Sequence, residues 1–293
     1  MNNGVIHWPR ISIVTPSYNS VRFIEDTINS VISQKYPNLE YIIIDGGSTD
    51  GTIDIIKKYE SHLAAWISES DNGMYHAIQK GFEKSSGEIM AWINSDDMYH
   101  RNSLFTVADI FGSFPQVNWL SGLSTVYDES GRTVYAVHSR LFTEFDFYNH
   151  DFKWIQQESV FWRRSLWNKA GGSLNTNLKY AGDFDLWLRF LHLDNLYVTH
   201  ALLGGFRSRS DQISITHKDD YIYEIEKSLS LHPLSKDKLK ILRRYQKIQF
   251  LEKVLKTFRI FKTEWIIKRF KKKHFVSGKF ILFDVSGKFV LAD

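Results

Sequence analysis

Four times in the first hundred residues a short apolar run ends abruptly in a polar loop. Ile11-Ser12-Ile13-Val14-Thr15-Pro16, Tyr41-Ile42-Ile43-Ile44, Ala64-Ala65-Trp66-Ile67-Ser68 and Ile89-Met90-Ala91-Trp92-Ile93 are mostly apolar and partly β-branched, as strands buried on both faces are. Between them the apolar positions take helical spacing: Phe23, Ile24, Thr27, Ile28, Val31 and Ile32, then Ile55 and Ile56, then the stretch Met74 to Ser85. This alternation predicts an α/β fold, a mostly parallel central sheet flanked by helices through right-handed crossovers.

Further along, Leu120 to His138 predicts two or three strands that turn at Asp128-Glu129-Ser130-Gly131. The aromatics Phe142, Phe145, Phe147, Phe161, Trp162 and Trp167 are expected in the core, and Trp154, beside Gln156-Gln157-Glu158, is the candidate aromatic platform for a ligand. A short helix from Ser165 to Ala170 should stop at Gly171-Gly172. In Tyr180 to Phe190, the spacing of Leu186, Phe190 and Leu191 predicts a helix with Asp183 or Asp185 in its first turn, a position where Asp also serves as a plain cap.

From Lys218 the pattern changes. Ile248, Leu251, Leu255, Phe258, Phe261 and Trp265 follow helical spacing, and Lys247, Lys253, Lys256, Arg259, Lys262 and Lys268 to Lys273 make the segment basic. A basic amphipathic helix with Trp and Phe suits an anionic membrane surface, and a helix packed on the catalytic core is the equal alternative. Two Ser-Gly-Lys-Phe copies at Ser277 and Ser286 bracket an apolar run that predicts a terminal hairpin. The expected organisation is a catalytic domain over residues 1–217 and a helical basic region over 218–293.

Composition changes this picture little. A chain of 293 residues with 43% hydrophobic and 24% charged residues can bury one large core with an appendage. Zero cysteines exclude disulfides, thiolate metal sites and a cysteine nucleophile. Met1 to Arg10 lacks the form of a signal peptide and no apolar run has transmembrane length, so the expected location is the cytosol, on the inner face of the plasma membrane if the basic helix docks there. The net charge of +4 is small, and no nucleic-acid partner is expected.

Candidate chemistry lies in the loops that follow the strands. Three of the four are acidic, and all fall at the carboxyl edge of the predicted sheet, where open α/β sheets bind ligands. In Asn94-Ser95-Asp96-Asp97 two adjacent carboxylates would repel each other unless a cation sat between them, and oxygen ligation suits Mg2+ or Mn2+ carrying a diphosphate. The same residues also make good turns and caps. The glycines match neither a dinucleotide fingerprint nor a GxxxxGK[ST] loop, which argues against dehydrogenases and ATPases.

Four motifs in order carry a resemblance: Thr15-Pro16-Ser17-Tyr18-Asn19, Ile44-Asp45-Gly46-Gly47-Ser48-Thr49-Asp50-Gly51-Thr52, Ser70-Asp71-Asn72-Gly73-Met74-Tyr75 with Lys80-Gly81, and Asn94-Ser95-Asp96-Asp97. Together they resemble the family 2 glycosyltransferases over about residues 10 to 100. The resemblance implies a GT-A fold, a nucleotide-sugar donor, a divalent metal and inversion at the anomeric carbon. By the same resemblance Pro16 and Tyr18 border the nucleobase and Asp45 accepts a hydrogen bond from it. Asp71 and Lys80 lie near the ribose or phosphates, Asn94 meets a ribose hydroxyl, and Asp96 or Asp97 holds the metal. Asn94 stands where such enzymes commonly carry Asp, and Gly182 where they carry Glu. Asp183 matches the base that deprotonates the acceptor hydroxyl, with Asp185 pairing to Arg189 instead. Arg207, Arg209 or His217 in the resembling closing loop would touch the diphosphate or metal. The implied acceptor is a hydroxyl of a glycan or lipid-linked saccharide, in bacterial surface polysaccharide synthesis such as O-antigen or capsule. A sugar nucleotidyltransferase and a catalytically silent nucleotide-sugar-binding partner are the alternatives.

Overall fold

The computed structural model describes residues 8–153, 155–209, 217–257, 264–275 and 277–292. The first apolar runs form strands where their pattern places them: β1 (Ile11–Ser17), β2 (Leu39–Asp45), β3 (Ala65–Ser68) and β4 (Ile89–Trp92). Every residue of β1 and β4 is buried, which explains their nearly unbroken apolar character. The crossovers carry helices α1 (Ile24–Ile32), α2 (Thr52–Lys58) and α3 (Met74–Lys84). At the start of α2, Asp50, just ahead of the N-cap Gly51, accepts the Thr52 N–H at 3.0 Å.

After β4 come β5 (Met98–Tyr99), α4 (Ser103–Ser113), β6 (Trp119–Ser121), β7 (Ser124–Tyr127) and β8 (Thr133–Val137). Then follow α5 (Glu144–Tyr148), β9 (Val160–Arg163), α6 (Arg164–Lys169), α7 (Gly182–Leu193), β10 (Tyr197–Thr199) and β11 (Gly204–Arg207). The C-terminal region holds α8 (Lys218–Leu231), α9 (Lys236–Thr257), α10 (Glu264–His274), β12 (Phe280–Phe283) and β13 (Phe289–Ala292).

Nine strands form the central sheet in the order β13-β12-β10-β6-β9-β4-β1-β2-β3. Strand β9 is antiparallel to both neighbours, and β13 to β12; the remaining pairings are parallel. A second sheet, β5-β11-β7-β8, lays the residues after β11 across the loop that leaves β4.

Behind that loop lies a cluster of tryptophans. Trp92 at the end of β4 stacks on Trp187 of α7, with ring centroids 5.6 Å apart and planes within 9°. Trp119 stacks on the same Trp187 at 5.8 Å, and Trp162 meets it edge-on at 5.7 Å. Such pairs contribute about 0.5–1.5 kcal/mol each beyond area burial, so α7 is pinned to β4 through rigid side chains.

The region from residue 218 is not a separate appendage. Strand β12 pairs with β10 and extends the central sheet, because β10 would otherwise present an open edge. Leu242, Tyr245 and Phe275 bury themselves with Phe145 of α5, and Lys238 reaches Glu144 at 2.6 Å. The expected terminal hairpin is present as β12 and β13. The helix expected around residues 248–265 reaches Thr257 in α9, and α10 begins at Glu264; Phe258 and Phe261 lie outside the described residues. Among the described residues no helix is long and apolar enough to cross a membrane.

Candidate active site

Loops after β1, β2 and β4 are laced together at the carboxyl edge of the sheet. Gly46 N donates to Ser17 O at 2.8 Å, Asn19 N to Ser48 Oγ at 2.7 Å, and the hydroxyls of Ser20 and Ser95 meet at 2.7 Å. Tyr18 stands out from this frame with 66% of its surface exposed, an uncovered aromatic beside Pro16. The loop after β3 closes from the other side: a Cβ on Gly46 would come within 3.1 Å of the Asp71 carboxylate, so the glycine permits the approach. Lys80 on α3 is paired to Glu69 at 2.7 Å.

Asp45 is not the open acceptor that the sequence suggests. It is fully buried, and its carboxylate takes the N–H groups of Gly47 and Ser48 at 3.1 and 2.9 Å and the hydroxyls of Ser48 and Ser68. Four donors fill the lone pairs of one carboxylate, so Asp45 shapes the loop rather than offering a vacant oxygen.

The acidic loop divides its residues between two tasks. Asp96 is partly exposed and pairs with the Arg209 guanidinium at 2.9 Å. Asn94 Nδ2 donates to Asp97 at 3.1 Å, while its buried Oδ1 has no hydrogen-bond partner. Asp97 is 1% exposed, accepts the Arg207 N–H at 2.8 Å and shares a hydrogen bond with buried Glu158. Burial first, then the charges of Asp96 and Glu158, raises the Asp97 carboxyl well above the carboxylate range. Burial likewise raises the Glu158 carboxyl, which bonds Asp97. Asp97 is thus enclosed by Arg207 N, Asn94 Nδ2 and Glu158, and Asp96 is the more open of the two carboxylates.

His217 also departs from expectation, stacking on Tyr180 at 4.8 Å and pairing with Asp220 at 3.0 Å. Among the described residues no three His, Asp or Glu side chains are grouped to hold a cation, so Asp96, Asp97 and His217 do not form one ligand set. Arg207, expected on the donor, is fully buried: it donates to Asp96 O and Glu129 O at 2.7 Å each and to Asp26 at 2.9 Å. It braces the acidic loop from behind. Trp154 and residues 210–216 of the closing loop lie outside the described residues.

Asp183 occupies the first turn of α7, four residues before Trp187. It lines a narrow pocket with Phe147, Phe152, Lys153, Ile155 and Tyr221. Burial lifts its carboxyl to about 6, against an opposing hydrogen bond from Tyr75 at 3.3 Å. Asp185 is held by Arg189 at 3.0 Å, as the sequence suggests, and also faces His232. The charge of Asp183 acts on Glu158, which in turn bonds Asp97. Tyr75 and Tyr221 as neighbours of the base do not follow from the sequence pattern; only Tyr75 carries a signal, its place in a quoted motif.

The profile of Glycosyl transferase family 2 matches residues 12–190. The chain belongs to this family. An uncharacterized glycosyltransferase of Rickettsia typhi is 26% identical over 215 residues, covering 71% of this chain and 67% of that protein. A putative teichuronic acid biosynthesis glycosyltransferase of Bacillus subtilis, TuaG, is 39% identical over 99 residues, 33% of this chain and 39% of TuaG. Among solved structures, S. aureus TarS in complex with UDP-GlcNAc superposes with a TM-score of 0.62 at 19% identity, covering 80% of this chain and 70% of TarS. A Pyrobaculum calidifontis mannosyltransferase in complex with GDP-Man and Mn2+ gives 0.54 at 18% identity, covering 86% of this chain and 65% of that one. These superpositions establish the GT-A-like fold of this family 2 glycosyltransferase.

Proposed function

We propose that the chain is an inverting glycosyltransferase that moves a sugar from a UDP-sugar to a hydroxyl of a glycan or lipid-linked acceptor in bacterial surface polysaccharide assembly. The observation that carries this reading is the Trp92–Trp187 stack, which joins the strand leading to Asp96 with the helix bearing Asp183. Inversion needs a base facing the acceptor on the side away from the departing diphosphate, with both groups held in fixed relation. Asp183 takes the proton as the acceptor oxygen attacks the anomeric carbon and the bond to the diphosphate breaks. UDP as the carrier is supported by the TarS complex, and surface polysaccharide by the name of TuaG. Family membership supports transfer of a sugar over transfer of a nucleotidyl group. Incubation with a panel of nucleotide sugars and glycan acceptors tests the reading: release of UDP with an inverted glycoside is expected, and release from GDP-sugars alone would overturn the choice of base.

Donor contacts follow from the groups at the sheet edge. Tyr18 offers a face for the base beside Pro16, and the unpartnered Asn94 Oδ1 suits a ribose hydroxyl. Asp71, beside Gly46, and Lys80, paired to Glu69 on the same loop, are the groups for the ribose or phosphates. Asp96 fits a divalent ion of the Mg2+ or Mn2+ kind. Its partner is already a cation, Arg209, and such ions need only one or two carboxylates when phosphates and water complete the shell. When bound, the ion would neutralise charge developing on the leaving diphosphate.

The cytoplasmic membrane face is the proposed setting. Lys268, Arg269, Lys272 and Lys273 are exposed on α10 beside Trp265, which is 60% exposed, and Phe250 and Leu251 project from α9. Each cation near an anionic surface contributes about 1 kcal/mol, and the aromatic groups can enter the interface. Because Tyr245 and Phe275 pack on Phe145, truncation would damage the fold. Reversal of those four charges to Glu is the cleaner variant. It should abolish binding to anionic liposomes at low salt and spare donor turnover; equal binding by both proteins would refute the membrane role.

A further inference from the structure

Helix α8 lies along α7, and its Glu224 reaches the segment just ahead of Asp183. Glu224 Oε1 accepts the Lys179 N–H at 2.8 Å, and Oε2 accepts those of Tyr180 and Ala181 at 2.8 and 2.9 Å. Three successive backbone N–H groups thus close on one carboxylate, an anion-binding nest filled by the protein's own side chain. Two more contacts come from α8 and from His217 just ahead of it. His217 stacks on Tyr180, and Tyr221 lines the pocket of Asp183. On the opposite side, Tyr75 of α3 donates to Tyr180 O at 3.1 Å, and its ring lies 2.8 Å from where a Cβ on residue 182 would sit. Residue 182 is glycine and has no room for a side chain. The acidic neighbour that holds the base segment therefore comes from α8, and it lies outside the residues matched by the family profile.

We propose that Glu224 is a positioning residue for Asp183: it fixes the backbone of residues 179–181 and so the first turn of α7, and it places a second negative charge near the base. The proposal rests on the reading of Asp183 as the base. The titratable groups that face Asp183 are Tyr75 from α3, Tyr221 and Glu224 from α8, Glu158 ahead of β9, and Lys153 on the pocket rim. Burial is the main cause of the raised Asp183 carboxyl, and the Glu224 charge acts in the same direction.

Glu224→Gln and Glu224→Asp in the full chain separate reach from charge. Gln keeps the length but loses the charge and one acceptor; Asp keeps the charge but is one methylene short. Both should hold UDP with the parent dissociation constant and lower kcat by about tenfold to a hundredfold, the scale of a misplacement of about an ångström. The acid limb of the kcat profile should move to lower pH in the Gln variant and stay in the Asp variant. Parent kcat and an unmoved acid limb in folded variants would overturn the proposal, as would a loss of UDP affinity equal to the loss of kcat. Melting curves report folding: if Gln fails to fold, Asp decides alone, and if neither folds, Glu224 is a folding determinant and the positioning role falls. Parent turnover in Asp183→Asn would instead sink the base assignment itself.

Discussion

Asp183→Asn is expected to leave nucleoside-diphosphate binding near that of the parent and to lower turnover by about two to four orders of magnitude, the usual worth of a general base. The amide has the same shape, and its oxygen can still accept from Tyr75, so the pocket should stay intact. In the parent, turnover should rise with pH through about 6, because burial holds the carboxyl protonated below that point and only the ionised form accepts a proton. The variant should lose this limb. A carboxyl raised on folding binds its proton more tightly in the folded chain, so its ionisation costs stability that is fully lost above the folded value. Asp183→Asn should therefore melt no lower than the parent at pH 8. Parent turnover would move the base elsewhere, yet the obvious substitutes are poorly placed: Asp185 is tied to Arg189, and Glu158 is buried against Asp97.

Asp96→Ala should remove the Mn2+-dependent part of nucleoside-diphosphate binding. Loss of Lewis-acid assistance is worth several kcal/mol, on the order of 10² to 10⁴ in rate. Titration of UDP with and without Mn2+, followed by calorimetry, checks the binding half without any turnover. Unchanged Mn2+-dependent affinity would refute Asp96 as the ligand. Asp97→Asn is the informative contrast: with the Asp97 oxygens facing Arg207 N and Asn94, its loss should appear mainly as lower stability.

How far the sequence could be read depended on whether a residue's role was local. Buried strands such as Ile11–Ser17 and Ile89–Trp92 announce themselves because each position faces the core, and the loops that follow inherit their place at the sheet edge. Asp96 and Asp97 look alike in sequence, and only the small sheet that brings Arg207 N against Asp97 and Arg209 against Asp96 separates them. Arg207 had the composition of a phosphate binder, but tertiary packing closes its guanidinium behind the acidic loop. Glu224 gave no local signal, being one of several acids on a polar helix. The return of the chain to the central sheet after residue 218 was not legible, because helical, basic composition says nothing of a later strand extending that sheet.

That late strand also sets an order of events during synthesis. Strand β10 leaves the ribosome about 80 residues before the segment that covers it, and at roughly 5–20 residues per second the gap lasts about 4 to 16 seconds. For that interval a growing chain carries a bare strand edge able to pair with the wrong partner, and neighbouring chains on one polysome are the nearest candidates. Slow translation between residues 200 and 280 would lengthen this window, so codon choice there bears on yield although it alters no contact in the finished protein.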